Sequence, residues 1–264
     1  METELGYRAV LAVDVERSAG RGDRALLEIR GRLSEMLREA FLASGVDWDA
    51  CLRHDLGDGL RVTAPAGTRK AALVHPLVHE LAIRLRTHNR GAAPLTRIRV
   101  RIALHAGDVH VAPTGEVAGS ALEVLARLLD APPARTALAG APDSVPASVL
   151  LSRHFYDETV RNAHLGLYPE DFREVGFTVK EHTAGAWLHL PGWAARPEPA
   201  PETVEASAET ASETVEALPE PASETVQTPP TAPTGSKMVN KAKGKGVIYA
   251  AQHGTQHIRI TGKP

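Results

Sequence analysis

The 264-residue chain has one cysteine, Cys51, so no internal disulfide can form and a reducing compartment is expected. Long apolar runs are missing: no stretch approaches the roughly 18 residues a membrane-spanning helix needs, so no membrane association is expected. The start of the chain is acidic and has no apolar stretch of the kind a secretory leader carries, which points to the cytoplasm. Charge of one sign is also absent over two long segments. Residues 197–236 hold eight Glu and no Lys or Arg, whereas residues 237–264 hold six Lys or Arg and no acid. The remaining residues are balanced in charge. A neutral globule, an acidic spacer and a basic tail are therefore expected as three separate objects. The abundance of Ala, Arg, Gly and Pro suits a GC-rich bacterial genome.

Within the neutral part, Tyr7 to Val15 reads as a buried strand and is followed by the small-residue loop Arg17-Ser18-Ala19-Gly20. Leu26, Leu27, Leu33, Met36, Leu37 and Phe41 recur at helical spacing, so a helix is predicted from about Asp23 to Ala43, closed by Gly45. Cys51 to Ala64 reads as a hairpin whose tip is Leu56-Gly57-Asp58-Gly59, because Asp-Gly suits tight turns. One helix is predicted from about Thr68 to Thr87. A strand is predicted from Thr96 to His105, in which Ile98, Val100, Ile102 and Leu104 alternate with Arg97, Arg99 and Arg101, the pattern of a half-buried strand. A third helix spans about Ala118 to Asp130, with Pro132-Pro133 ending it. A short strand (Val149 to Ser152), a helix (His154 to Arg161) and a closing hairpin (Phe172 to Lys180, Ala186 to Leu190) complete the unit. The order β-α-β-β-α-β with extra elements predicts an α+β, ferredoxin-like fold over residues 5–192, an antiparallel sheet with two helices on one face.

Asp14 ends the first strand and Asp58 sits at the tip of the following hairpin, two points that are neighbours in a β-α-β-β unit. Two carboxylates there can hold hard divalent cations, since Mg²⁺ takes a few carboxylates together with substrate phosphates. An Asp before a loop and an Asp-Gly turn are also ordinary structural features, and both readings stand at this level. His75 and His79 lie four apart on a predicted helix, but no further ligands for a zinc site can be placed. His105 is expected to end a core strand, and Lys180 to be a solvated lysine.

Four segments carry a family resemblance. AVLAVDVERSAG, LRHDLGDGLRV, RVRIALHAGDVHV and GEVAGSALEVLARLLDAPP resemble, in order, motifs of class III nucleotidyl cyclases, and they are spread over residues 9–133. The resemblance implies a head-to-tail homodimer with a nucleoside triphosphate between chains and Mg²⁺ or Mn²⁺ as cofactor. It implies that Asp14 and Asp58 bind metal in one chain, while Glu116 and Arg127 come from the other, Arg127 falling on the family's transition-state arginine. It also marks departures. Glu123 stands where active members have an asparagine, four residues before that arginine, and a carboxylate beside a polyphosphate repels it. His54 stands where adenylyl cyclases carry a base-reading lysine, Glu116 where they carry an aspartate, and Arg17-Ser18 where Gly-Phe is usual.

In the spacer, PETVEASAETA, SETVEALPEPA and SETVQTPPTAP align at a period of 11, bringing Glu202, Glu213 and Glu224 into register. Prolines interrupt and no apolar stripe forms, so residues 193–236 are expected to be an extended, self-repelling linker. In the basic tail, residues 237–264, two β-prone runs flank His253-Gly254. Low acidity, a lack of proline before the last residue, and available Gln match a cross-β stacking segment. Val247, Tyr249, Gln252, Gly254, Gln256 and Ile258 follow a pattern that resembles bacterial amyloid signalling motifs, themselves similar to necroptosis (RHIM-like) motifs. That resemblance implies a receptor or sensor partner with a matching motif, in an immune-like circuit. A plain basic tail touching phosphates and a docked strand stay open beside it. The expected function is a signalling effector that joins a divergent cyclase-like domain to an amyloid-type tail. The alternative is a non-catalytic nucleotide-binding or dimerisation module with a basic tail.

Overall fold

A computed structural model of the chain describes residues 3–162, 166–179 and 182–193, all within the first of two units, Met1–Glu202. The expected linker and tail lie outside the described residues. Strand β1 (Glu4–Val15) leads into α1 (Asp23–Ala43), then β2 (Leu52–Asp55) and β3 (Gly59–Thr63). Helices α2 (Lys70–Val74) and α3 (Leu77–Gly91) precede β4 (Val100–Val111) and the short β5 (Val117–Ala118). Helices α4 (Ser120–Asp130) and α5 (Pro132–Gly140), β6 (Ala147–Ser152), α6 (Arg153–Thr159), and the pair β7 (Arg173–Val179) and β8 (His182–His189) follow.

One sheet holds every strand of the described residues, in the order β2-β3-β1-β4-β6-β8-β7, with β5 paired to β4. Its first four strands have the ferredoxin-like order expected of a β-α-β-β-α-β unit, all antiparallel. The β4–β6 pair is parallel, so the sheet is mostly rather than wholly antiparallel. Period-two alternation divides the side chains of β1 between two layers. Leu11, Val13 and Val15 pack on the face covered by α1 and α3, with Leu37, Phe41, Leu77 and Leu81. Val10 and Ala12 pack on the other face, with Leu125 and Leu128 of α4. The two helices expected on one face are α1 and α3; α4 covers the second face as well, because apolar residues alternate onto both faces of the central strands and each needs a cover.

Three boundaries also differ from expectation for physical reasons. The single helix predicted over 68–87 breaks into α2 and α3 at Pro76, which has no amide hydrogen to continue the ladder. Pro132-Pro133 does end α4, but it also starts α5, since proline is well suited to a first helical turn. The fourth strand runs on to Val111, so His105 lies inside it rather than at its end, and its Nδ1 meets Ser152 Oγ at 2.7 Å. Among the described residues, no helix is long and apolar enough to cross a membrane. Cys51 is buried, and burial pushes its thiol up to about 11, which makes it a packing residue at neutral pH.

Candidate active site

The β2–β3 turn and the end of β1 meet at two carboxylates. Asp14 pairs across the strands with Gly59 on one side and Arg101 on the other. A Cβ at position 59 would lie 2.1 Å from the Val13 carbonyl oxygen, so only glycine lets β3 approach here. Gly57, at φ 94, turns the hairpin tip in the left-handed region. The Val15 amide donates to the Asp58 carbonyl at 3.2 Å, which fixes the tip against β1. Ser18 Oγ, from the loop after β1, donates to Asp58 Oδ2 at 2.6 Å.

Arg101 Nη2 donates to Asp14 Oδ2, and both side chains are largely buried. Asp14 Oδ1 is buried with no hydrogen-bond partner. Burial pushes the Asp14 carboxyl above its ordinary range; Arg101 opposes that shift, and the neighbouring Asp58 charge adds to it. A bare carboxylate oxygen beside a second carboxylate is a donor set suited to a small divalent cation. Among the described residues no cluster of three or more His, Cys, Asp or Glu side chains forms. The remaining ligands would have to be water or phosphate oxygens, as Mg²⁺ prefers. The residues present therefore fit Mg²⁺ or Mn²⁺.

His54 and Glu116, both exposed, line a groove of about 580 Å³ together with Arg61, Thr63 and His110. Arg61 pairs across the strands with His54 and Ala12, placing it on the sheet face that also carries Asp14. Burial lowers the affinity of its guanidinium for the proton, and among the described residues no carboxylate pairs with it. Glu116 closes the β4–β5 connection, its carbonyl accepting from the Ala112 amide at 2.8 Å. Glu123 and Arg127 sit one turn apart on α4 and form an ion pair of 3.4 Å at the surface.

The six predicted site residues of the folded unit thus fall into three sets: Asp14 with Asp58, His54 with Glu116, and Glu123 with Arg127. Arg101, Ser18 and Arg61 were not singled out from the sequence. The alternation of Arg97, Arg99 and Arg101 reads as the outer side of a half-buried strand, yet Arg99 and Arg101 are largely buried against Glu16 and Asp14. An arginine at an alternating position in β3 was the available signal for Arg61. His75 and His79 lie with ring centroids 5.6 Å apart and gather no third ligand among the described residues. The Lys180 side chain and the tail residues Val247, Tyr249, Gln252, Gly254, Gln256 and Ile258 are outside the described residues.

No protein-family model matches the chain, and no curated protein matches it. Solved structures do. The chain is similar to an adenylate/guanylate cyclase/hydrolase from Silicibacter pomeroyi at TM-score 0.52 and 21% identity, covering 72% of this chain and 99% of that one. It is similar to the guanylyl cyclase Cya2 at TM-score 0.52 and 14% identity, over 73% and 96% of the two chains. A bacterial light-regulated adenylyl cyclase matches at TM-score 0.51 and 13% identity; the match covers 71% of this chain and about half, 52%, of that longer protein. At such identities the likeness is one of architecture: the folded unit has the mixed α+β fold of adenylate and guanylate cyclase domains.

Proposed function

We propose that the folded unit binds a nucleoside triphosphate in a head-to-tail pair of chains and cyclises it, releasing pyrophosphate. The observation that carries this reading is the convergence of Asp14 and Asp58, one with a bare buried oxygen, on a cyclase fold. Asp14 and Asp58 would hold the metal, with Asp58 fixed by its hydrogen bond from Ser18. A divalent ion held there would acidify the 3′-hydroxyl and offset charge developing on the α-phosphate. Arg127 of the second chain stabilises that charge from the opposite side. Glu116 accepts from the base while His54 and Arg61 donate to it, so the groove orients the nucleotide. The tail, residues 237–264, clusters chains through Val247, Tyr249, Gln252, Gly254, Gln256 and Ile258, raising the local concentration of domains that must pair. A receptor with a matching motif seeds that clustering. The support for this part is the sequence pattern.

The same residues motivate a second reading, a module that binds nucleotide without turnover. Arg101 occupies one oxygen of Asp14, and Glu123 holds Arg127 at 3.4 Å, so two catalytic charges are already engaged within the chain. Pyrophosphate release from each of the four ribonucleoside triphosphates with Mn²⁺, for the full chain and Asp58→Ala, separates the readings. Release that vanishes in the variant establishes the cyclase. Binding without release by either protein establishes the module, and neither binding nor release ends both. Fibres from a peptide of residues 237–264 that bind thioflavin support the clustering role, and a soluble monomer at high concentration removes it.

A further inference from the structure

A second pocket, of about 590 Å³, opens between the loop after β1, the last turn of α3 and the approach to β4. Its frame is fixed by three side chains. Arg21 donates to the carbonyls of Glu16 at 2.6 Å, Arg17 at 2.7 Å and Arg97 at 2.5 Å, fastening the loop to the chain before β4. Asn89 both donates to and accepts from the Ile98 backbone, at 2.8 and 2.7 Å, fastening the end of α3 to the same segment. Arg99 forms the floor, paired with buried Glu16 at 3.4 Å and donating to the Val145 carbonyl at 3.0 Å.

Four further arginines line this pocket: Arg86, which donates to the carbonyls of Ala82 at 3.3 Å and Pro191 at 3.4 Å, and three others. Arg17, Arg90 and Arg97 are exposed, and among the described residues no carboxylate pairs with any of them. Arg17 is held at φ 52, a left-handed conformation unusual for its type. The lining acids are Glu16, already engaged by Arg99, and Asp143 on the rim, 3.9 Å from Arg99. Three like charges converging on a preformed hollow repel one another until an anion joins them. Guanidinium forks match phosphate oxygens in pairs. Leu95, 60% exposed, adds an apolar surface on the same wall. The volume is that of a small-ligand site.

We propose that this pocket is a second ligand site, and that it takes a nucleoside polyphosphate, its phosphates on Arg17, Arg90 and Arg97 and its base against Leu95. None of Asp14, Asp58, His54 and Glu116 lines it, so it is separate from the candidate active site. Its wall is the loop that carries Ser18, the hydrogen-bond partner of Asp58. An occupant that stiffens this loop would therefore bias the geometry of the metal corner.

The test is calorimetric titration of the full chain with ATP and with GTP in EDTA, where binding that depends on a metal at Asp14 and Asp58 is removed. One of the two nucleotides is expected to bind once per chain. The double variant Arg90→Ser, Arg97→Ser should weaken that binding by about tenfold or more, as loss of charge-assisted bonds would. Asp58→Asn should leave it unchanged. Both arginines are exposed, so an unaltered melting temperature in the double variant separates lost contacts from lost folding. Absence of binding in EDTA overturns the proposal, as does binding that survives the double variant or disappears with Glu116→Ala. Failure here is distinct from failure of the cyclase reading, which is measured as pyrophosphate release with Mn²⁺.

Discussion

The corner of Asp14 and Asp58 and the groove of His54 and Glu116 lie on one side of one sheet, yet they are built in opposite ways. Asp14 sits between two strands, buried, with one oxygen taken by Arg101 and the other bare. Asp58 is tied to Ser18 and to the backbone of β1. In the groove, His54 and Glu116 are exposed and Arg61 has no acidic partner among the described residues. The corner is thus set by the fold before any ligand arrives, and Arg101 offsets only one of its two carboxylates. The groove presents donors and an acceptor whose partners must come from outside. Changes in the corner should act on stability and chemistry together. Changes in the groove should act on selectivity alone.

The largest effect expected is from Asp58→Ala, which should abolish metal-dependent nucleotide turnover, or metal-dependent nucleotide binding if the module is inert. Pyrophosphate assay and calorimetry with and without Mn²⁺ check it. Next, Arg101→Met should destabilise the fold by about 3–5 kcal/mol, since it leaves a buried carboxylate without its cation. Urea unfolding reads that number, and a cost below about 1 kcal/mol would show that the corner is wetter than described.

A pH effect should follow from His105, on β4 between strands, whose pKa burial lowers to about 4, with the His154 charge adding to the shift. The neutral ring is favoured in the fold. Its contribution is therefore fully present above the ordinary histidine range and is lost as pH falls from there through about 4. Melting temperatures recorded from neutral to acid pH should fall across that window, and His105→Asn should flatten the curve. A smaller effect is expected from Arg61→Met. A guanidinium there suits the O6 and N7 acceptors of guanine, so GTP affinity should drop about tenfold relative to ATP, with stability nearly unchanged. Equal losses for both nucleotides would mean that Arg61 touches phosphate instead. Smallest of all, Glu116→Gln should move stability by no more than about 0.5 kcal/mol, as expected of an exposed residue, while still altering base preference.

Much of this was legible in the residues. The bounds of α1, Asp23 to Ala43, follow from its apolar spacing and hold as read. The approach of Asp14 to Asp58 follows from topology, because a strand and the hairpin after the next helix must be neighbours in a β-α-β-β unit. Gly59 makes the approach possible. Pro76 carried a signal that the helical period over 68–87 concealed. The ion pair of Arg101 with Asp14 was not legible at all. Alternation says which residues share a face, but only register says that Arg101 lies opposite Asp14.

What the sequence by itself determined is the order of elements, the α+β class, the two carboxylates at one corner, and the division of charge between a neutral unit, an acidic spacer and a basic tail. Those follow from local periodicity, turn chemistry and composition, which act over a few residues. Tertiary structure alone decided that Arg99 and Arg101 turn inward onto acids, that α4 and α5 cover the second face, and that Arg61 joins His54 and Glu116 in one groove. Strand register and sheet order join residues far apart in the chain, and no local pattern fixes either.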